Sequence, residues 1–303
     1  MRILDSEAHA INPAGIDCCY PMEPRWRYPY IAAPNPKIRP MIAEAVANDR
    51  YDNHTDTLIS RMDHHGIEKA VIMRGAFPTK NADLAAIIAK HPDRFVGFTS
   101  WDVEPTAGTP PHETIKSLTA LEKGFTEFGF LGAGEFSLDR YIPLPPDQAY
   151  LGYIPIMELC RKHKKPIMFH TGYDGGKVAM GYRNPIMFEP LAFEFPDVPI
   201  MICHMGKYDM TFFEYAMMLA RKNLNVYLTT SNAKMEFIER AVAEIGPERI
   251  VFGSDWSMQH GILGERQGFD VYEENLDAVR KAKLDEGEKR MILGENLANL
   301  LGI

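Results

Sequence analysis

Four short peptides lie far apart in this chain, and each ends an apolar run on a residue that can bind a metal. They are Asp5-Ser6-Glu7-Ala8-His9, Met168-Phe169-His170, Met201-Ile202-Cys203-His204 and Phe252-Gly253-Ser254-Asp255. One fold gathers the ends of distant strands on a single face: the parallel β/α barrel, whose chemistry sits on that face. Two carboxylates and three imidazoles converging there make a divalent-metal site. The 303 residues suit one such barrel, since a typical one has about 250.

The rest of the chain keeps the same rhythm. Short apolar runs at 2–7, 69–73, 95–99, 130–135, 166–170, 199–204, 225–228 and 249–253 read as eight strands. Helical patterns fall between them at 55–65, 82–90, 111–128, 153–163, 184–195, 210–221 and 236–245, with 276–283 and 286–300 at the end. Several strands are apolar on both faces, as a barrel wall packed inside and outside requires. Their starts share a grammar: His163-Lys164-Lys165-Pro166, Phe195-Pro196-Asp197-Val198-Pro199 and Gly246-Pro247-Glu248-Arg249 each stop a helix, turn and restart as strand. The fold class expected is therefore a single-domain (β/α)8 TIM barrel spanning 1–303.

One stretch breaks the short-loop rule. Residues 12–53 are rich in proline and aromatics, including Tyr20-Pro21, Pro24-Arg25-Trp26 and Tyr28-Pro29-Tyr30. A loop of this length in a compact domain is usually functional. It leaves strand 1 on the active face, so we read it as a lid or pocket wall.

Charge and cysteine usage narrow the partners. The formal net charge of −8, with no dense Lys/Arg run, argues against nucleic acid. No apolar run of about 18 residues spans a membrane. The Arg2-Ile3-Leu4-Asp5 start has no basic segment followed by an apolar stretch, so no secretory signal is expected. Cys18, Cys19, Cys160 and Cys203 form no Cys-x-x-Cys pair and read as reduced thiols of a cytoplasmic protein. Strand alternation turns Cys203 away from the face that His204 occupies, which makes it a poor co-ligand.

Glu7 and His9 are two apart, so in a strand they face the same side and reach one ion. His170 and His204 end successive apolar strands in equivalent places. An ionised Asp255 at the end of its strand is costly to bury unless it is paired or bound to a cation.

These peptides, together with His204-Met205-Gly206, the strand Asn225-Val226-Tyr227-Leu228, Gly246-Pro247-Glu248-Arg249-Ile250-Val251-Phe252-Gly253-Ser254-Asp255-Trp256 and Asn296-Leu297-Ala298-Asn299-Leu300-Leu301-Gly302-Ile303, resemble the amidohydrolase superfamily. The similarity is to its amidohydrolase-2 branch, which includes aminocarboxymuconate-semialdehyde decarboxylase and γ-resorcylate decarboxylase. It runs over essentially the whole chain and is strongest in the second half.

The resemblance implies that Glu7, His9, His170 and Asp255 hold the metal, with His204 as acid/base and Asp255 also catalytic. Where the superfamily usually has His-x-His, this chain has Glu7-Ala8-His9, like the γ-resorcylate type. The oxygen/nitrogen donor set fits Zn²⁺, Mn²⁺ or Fe²⁺, and the extra carboxylate favours Mn²⁺. Glu135 ends strand 4, where two-metal members place a bridging carboxylate. It is the candidate for a second ion together with His204, although one ion is the expectation. Arg74 and Trp256 are candidate substrate contacts; Trp101, Asp102, Tyr173, Lys177 and Arg183 are weaker ones. His64 and His65 read as structural, at a helix C-terminus.

The expected activity is non-oxidative decarboxylation of an aromatic or unsaturated carboxylic acid. The alternatives are hydrolysis of a lactone, amide or related bond, and a binuclear oxygenase. A small carboxylic acid is the expected partner, and the resemblance implies a homodimer.

Overall fold

In the computed structural model, eight strands pair in parallel, each with the next in sequence. They are β1 Leu4–His9, β2 Lys69–Met73, β3 Phe95–Thr99, β4 Gly132–Phe136, β5 Ile167–Phe169, β6 Ile200–Ile202, β7 Val226–Thr229 and β8 Ile250–Val251. The structure describes residues 1–9, 54–74, 79–102, 111–141, 144–172, 180–256 and 270–303. The loop 12–53 lies outside these residues, as do Tyr173 and Lys177.

The ring closes between its first and last strands. Ser6 N donates to Phe252 O at 3.0 Å, His9 N donates to Trp256 O at 2.7 Å, and Ala8 bridges Trp256. The expected eight-stranded barrel is the one observed.

Helices fill the connections: α1 His54–His65, α2 Asn81–Lys90, α3 Pro111–Thr126, α4 Ile154–His163, α5 Glu189–Glu194, α6 Met210–Lys222, α7 Met235–Ile245 and α8 Val271–Arg280. α6 shows why such segments are helical. The Asp209 side chain caps the N–H groups of Thr211 and Phe212. Phe212, Phe213, Ala216, Met217 and Ala220 are buried, and Arg221 and Lys222 complement the dipole in the last turn.

Strand alternation sorts the core into two clusters. Ile72, Ile200, Ile202 and Leu228 face outward onto helix residues such as Leu58, Phe213 and Phe237. Leu4, Val71, Phe98, Met168, Met201 and Val251 form a second cluster with Leu297 from the C-terminal helix. Each such side chain contributes about 1.5–3 kcal/mol when fully buried.

The chain end departs from the sequence reading. α8 begins at Val271, five residues earlier than the pattern suggested, because the Asp270 carboxylate caps Tyr272 N and Glu273 N. The expected final helix is split into α9 Glu286–Arg290, a π turn Met291–Glu295 and α10 Asn296–Leu301. The Ile292 carbonyl accepts from Phe252 N at 2.9 Å, so β8 draws that acceptor out of the helix. Among the described residues, no helix is long and apolar enough to cross a membrane.

Candidate metal centre

β1 supplies two pocket residues through a bulge. Its pairing runs Leu4↔Lys69 and Asp5↔Ala70, then Ala8↔Ile72 and His9↔Met73, so three steps on β1 match two on β2. Leu4 can therefore face inward while Glu7 and His9, with the opposite parity, face inward too. β4 does the same. Ala133 pairs with Ile167 and Phe136 with Phe169, three steps against two, and Glu135 is turned into the pocket. Gly134 makes room for this, since at φ 145° a Cβ would stand 2.8 Å from that of Met168.

His170 needs no such device, because it follows β5 in ordinary alternation after outward Phe169. His204 does. The chain leaves β6 through His204 at φ 70° and Met205 at φ 47°, left-handed conformations uncommon outside glycine. Asp255, at φ 56°, is a third such residue. Gly206 then passes so close to α6 that a Cβ would lie 2.3 Å from Phe213 N.

This break in alternation overturns the expectation for Cys203. Cys203 follows inward Met201 and outward Ile202 and faces the barrel interior. The left-handed turn brings His204 inward as well, so both residues meet the pocket. A ligand atom from each of Cys203, Glu7 and Glu135 lies within 4.8 Å of the others.

The pocket gathers two imidazole–carboxylate triads. Glu7, His9 and Asp255 each place one ligand atom within 4.8 Å of the others, and so do Glu135, His170 and His204. His9 Nε2 stands 3.3 Å from Asp255 Oδ1 and 3.7 Å from Glu135 Oε2. His204 Nε2 lies 3.6 Å from Glu7 Oε1, 3.7 Å from Glu135 Oε1 and 3.1 Å from His170 Nδ1. His170 Nδ1 is 2.6 Å from Glu135 Oε1.

The donor set fits a bound cation. Glu7 Oε1 and His170 Nε2 are buried polar atoms with no hydrogen-bond partner among the described residues. Such atoms are costly unless something else satisfies them. A histidine whose Nδ1–H points at a carboxylate, with Nε2 bare, is arranged as a metal ligand braced from behind.

A polar run after β7, absent from the sequence reading, orients the rest. Ser231 Oγ donates to Glu7 Oε2 at 2.6 Å and lies 3.0 Å from His204 Nδ1. A hydroxyl has one proton. With Glu7 ionised, that proton goes to the carboxylate, and His204 Nδ1–H must donate to Ser231. His204 Nε2 is then turned into the pocket, 3.1 Å from His170 Nδ1. Thr229 Oγ1 adds a 3.3 Å bond to Glu7 Oε2 and accepts from His204 N. Asn232 Nδ2 donates to Asp255 Oδ2 at 2.9 Å.

Behind β1 and β8, the buried Asp5 carboxylate accepts from Glu7 N, Ser254 N, Ser254 Oγ and Tyr272 Oη at 2.6–3.0 Å. From α8, Asn275 bonds both Asn232 N and Ser254 O. The signal that points to part of this shell is Thr229-Thr230-Ser231-Asn232, four polar residues that end β7 and continue beyond it. All four are buried.

Charges in the pocket are tightly matched. Burial lifts the Glu7 carboxyl to about 7, with Glu135 and Asp255 adding to the lift and His204 and His9 opposing it. Burial works against a charged His9, yet Asp255, Glu135 and Glu7 raise it to about 9. Burial drives His170 down to about 4 despite Glu135, so its ring is neutral. Burial also opposes an ionised Glu135, but His170, His204 and His9 hold it well below the usual carboxylate range.

The other candidates lie around this centre. Arg74 is half-buried at the end of β2 and donates to the Trp101 carbonyl. Trp101 packs on Phe136, and Asp102 accepts from Asn81 N. Trp256 is fully buried in the larger core cluster and closes the barrel through its backbone. Arg183 is buried against Ser137 and Asp139. His65 pairs with Asp270 at 2.9 Å, tying α1 to α8.

Known proteins share this architecture. A family model described as amidohydrolase matches residues 5–303. The γ-resorcylate decarboxylase of Polaromonas sp. (strain JS666 / ATCC BAA-500) is 24% identical over 300 residues, covering 81% of this chain and 86% of that protein. The crystal structure of 5-carboxyvanillate decarboxylase from Sphingomonas paucimobilis superposes with a TM-score of 0.70 at 16% identity, over 100% of this chain and 99% of that one. A dihydroxybenzoic acid decarboxylase from Polaromonas sp. JS666, solved with bound manganese and the inhibitor 2-nitroresorcinol, gives 0.67 at 21% identity, over 99% and 97%.

Proposed function

The chain belongs to the amidohydrolase family of metal-dependent enzymes, and within it we propose that it is a non-oxidative decarboxylase of a small aromatic or unsaturated carboxylic acid. The observation that carries this reading is the Glu7–His9–Asp255 triad beside a His204 whose Nδ1 is tied to Ser231 and whose Nε2 faces the pocket. The aromatic-acid decarboxylases among the similar proteins support it.

Glu7, His9, His170 and Asp255 would hold a divalent ion such as Mn²⁺ or Zn²⁺. The ion supplies Lewis-acid stabilisation of charge developing on substrate oxygens. His204 and Asp255 handle the proton. One of them, in its acid form, protonates the carbon that bears the carboxylate. The bond to the carboxylate carbon then breaks, its electron pair stays with the protonated carbon, and CO₂ leaves. The conjugate base recovers its proton from water. Asn232 fixes Asp255 and Ser231 fixes His204, so neither must reorient as the proton moves. Arg74, at the same rim, is the candidate contact for a substrate carboxylate.

Incubation with ortho-hydroxybenzoates and muconate-type acids should release CO₂, stop on chelation and resume with Mn²⁺. Turnover of a lactone, ester or amide with ¹⁸O from water in the product, and no CO₂ from any acid, overturns the reading.

Hydrolysis is the second reading, and the Glu135–His170–His204 triad favours it. A second ion there would suit activation of water. Metal analysis counts the ions: two per chain falling to one in Glu135→Ala makes the site binuclear, one in both makes it mononuclear, and ¹⁸O from water in the product decides between hydrolysis and decarboxylation.

A further inference from the structure

The floor of the pocket holds a donor that neither mechanism uses. Cys203 is fully buried, between the inward residue Met201 and the left-handed turn at His204. Its cluster also includes Met168 and Val251, so its surroundings below are apolar. Above it stand Glu7 and Glu135, and ligand atoms of the three lie within 4.8 Å of one another. The orphaned Glu7 oxygen bears on this site as well as on the Glu7–His9–Asp255 triad. Its Oε2 is bound by Ser231 and Thr229, while Oε1 is buried with no hydrogen bond among the described residues.

We propose that Cys203 Sγ is a metal ligand, closing with the Glu7 and Glu135 carboxylates a buried oxygen–sulfur site for a thiophilic divalent ion such as Zn²⁺. The inference rests on reading the pocket as a metal centre and adds a metal preference to it. Thiolate selects zinc and softer ions, whereas the oxygen/nitrogen triad of Glu7, His9 and Asp255 suits Mn²⁺ as well. When the ion binds, the thiol proton is released to solvent. Loss of the sulfur should therefore weaken zinc much more than manganese.

The test uses the full chain stripped of metal. Co²⁺ added to wild type should give a sulfur-to-cobalt charge-transfer band in the near ultraviolet. The band should persist in Cys160→Ser and in the Cys18→Ser/Cys19→Ser double variant and vanish in Cys203→Ser. Zn²⁺ affinity of Cys203→Ser, measured against a competing chelator, should fall at least about tenfold, with Mn²⁺ affinity unchanged. Bound Co²⁺ with no such band, or a band that survives Cys203→Ser, overturns the proposal and leaves the metal centre standing. No metal bound at all overturns both. Should Cys203→Ser fail to fold, ¹¹³Cd resonance of the wild type decides: a shift in the sulfur-ligated range with the Cys18/Cys19 double variant supports the proposal, and one in the oxygen/nitrogen range overturns it.

Discussion

The two corners of the pocket are built differently. At the β1–β8 corner, the residues presenting Glu7, His9 and Asp255 are braced from behind by uncharged donors. Ser254, Tyr272 and the Glu7 amide converge on Asp5, Ser231 and Thr229 hold Glu7, and Asn232 holds Asp255. At the β4–β6 corner, Glu135, His170 and His204 face mainly one another, with Ser231 tying His204 to the first corner. The first corner is pre-organised whether or not an ion is present. The second is held by contacts among its own members around the ionised Glu135 carboxylate, so its shape depends on that charge. A cation would therefore meet a rigid donor set at one corner and an adjustable one at the other.

The sharpest way to break that comparison is to remove a seat. Glu7→Ala should lower both metal content and turnover at least about 100-fold, more than loss of an outer-shell partner does. Retained metal would move the seat to the other corner. Next come the braces themselves. Ser231→Ala and Asn232→Ala should each cost about 10–100-fold in metal affinity or activity, and Ser231→Thr should recover part of it by restoring the hydroxyl. If both alanine variants bind metal as wild type does, the β1–β8 corner is not pre-organised by these residues.

Asp5→Ala probes the same corner through stability. It strands four donors to a buried carboxylate and should lower unfolding free energy by at least about 2 kcal/mol, read by denaturant titration. A corresponding loss is not expected for Glu135→Gln, which keeps its shape and acts through His170.

The remaining test is the dependence on pH. His9 has its pKa raised to about 9 and Glu7 to about 7 in the absence of an ion. Both protons must leave before an ion binds. Affinity should rise about a hundredfold per pH unit below 7, about tenfold per unit from 7 to 9, and level off above. Stability has the opposite sign. A histidine raised above its ordinary value contributes stability that is complete below about 6.5 and lost as pH rises through 9. The melting temperature of the metal-free protein should therefore fall between pH 7 and 9, and that of the loaded protein should not. A flat isothermal titration series across this range sinks the assignment of His9 as a proton-competing ligand.

The sequence carried the barrel because its evidence is local. Apolar runs recur eight times, helix caps and Pro/Gly restarts separate several of them, and β2 and β3 lie where the pattern put them. It also pointed to Glu7, His9, His170, His204 and Asp255, which the structure gathers in one pocket, since a metal-capable residue at the end of a strand is visible as the last residue of an apolar run. What surrounds them was not legible. Asp5 and Ser254 are 249 residues apart, and Ser231 and Glu7 are 224 apart; no window of sequence relates them. Parity failed for a different reason. Alternation predicts which way a side chain points only while the strand is regular. The bulges in β1 and β4 and the left-handed residues His204 and Asp255 reset it at the places where the pocket is made. So the residues of the centre were written in the sequence, while their facing, their hydrogen-bond partners and the inward turn of Cys203 were decided only when the ring of strands closed.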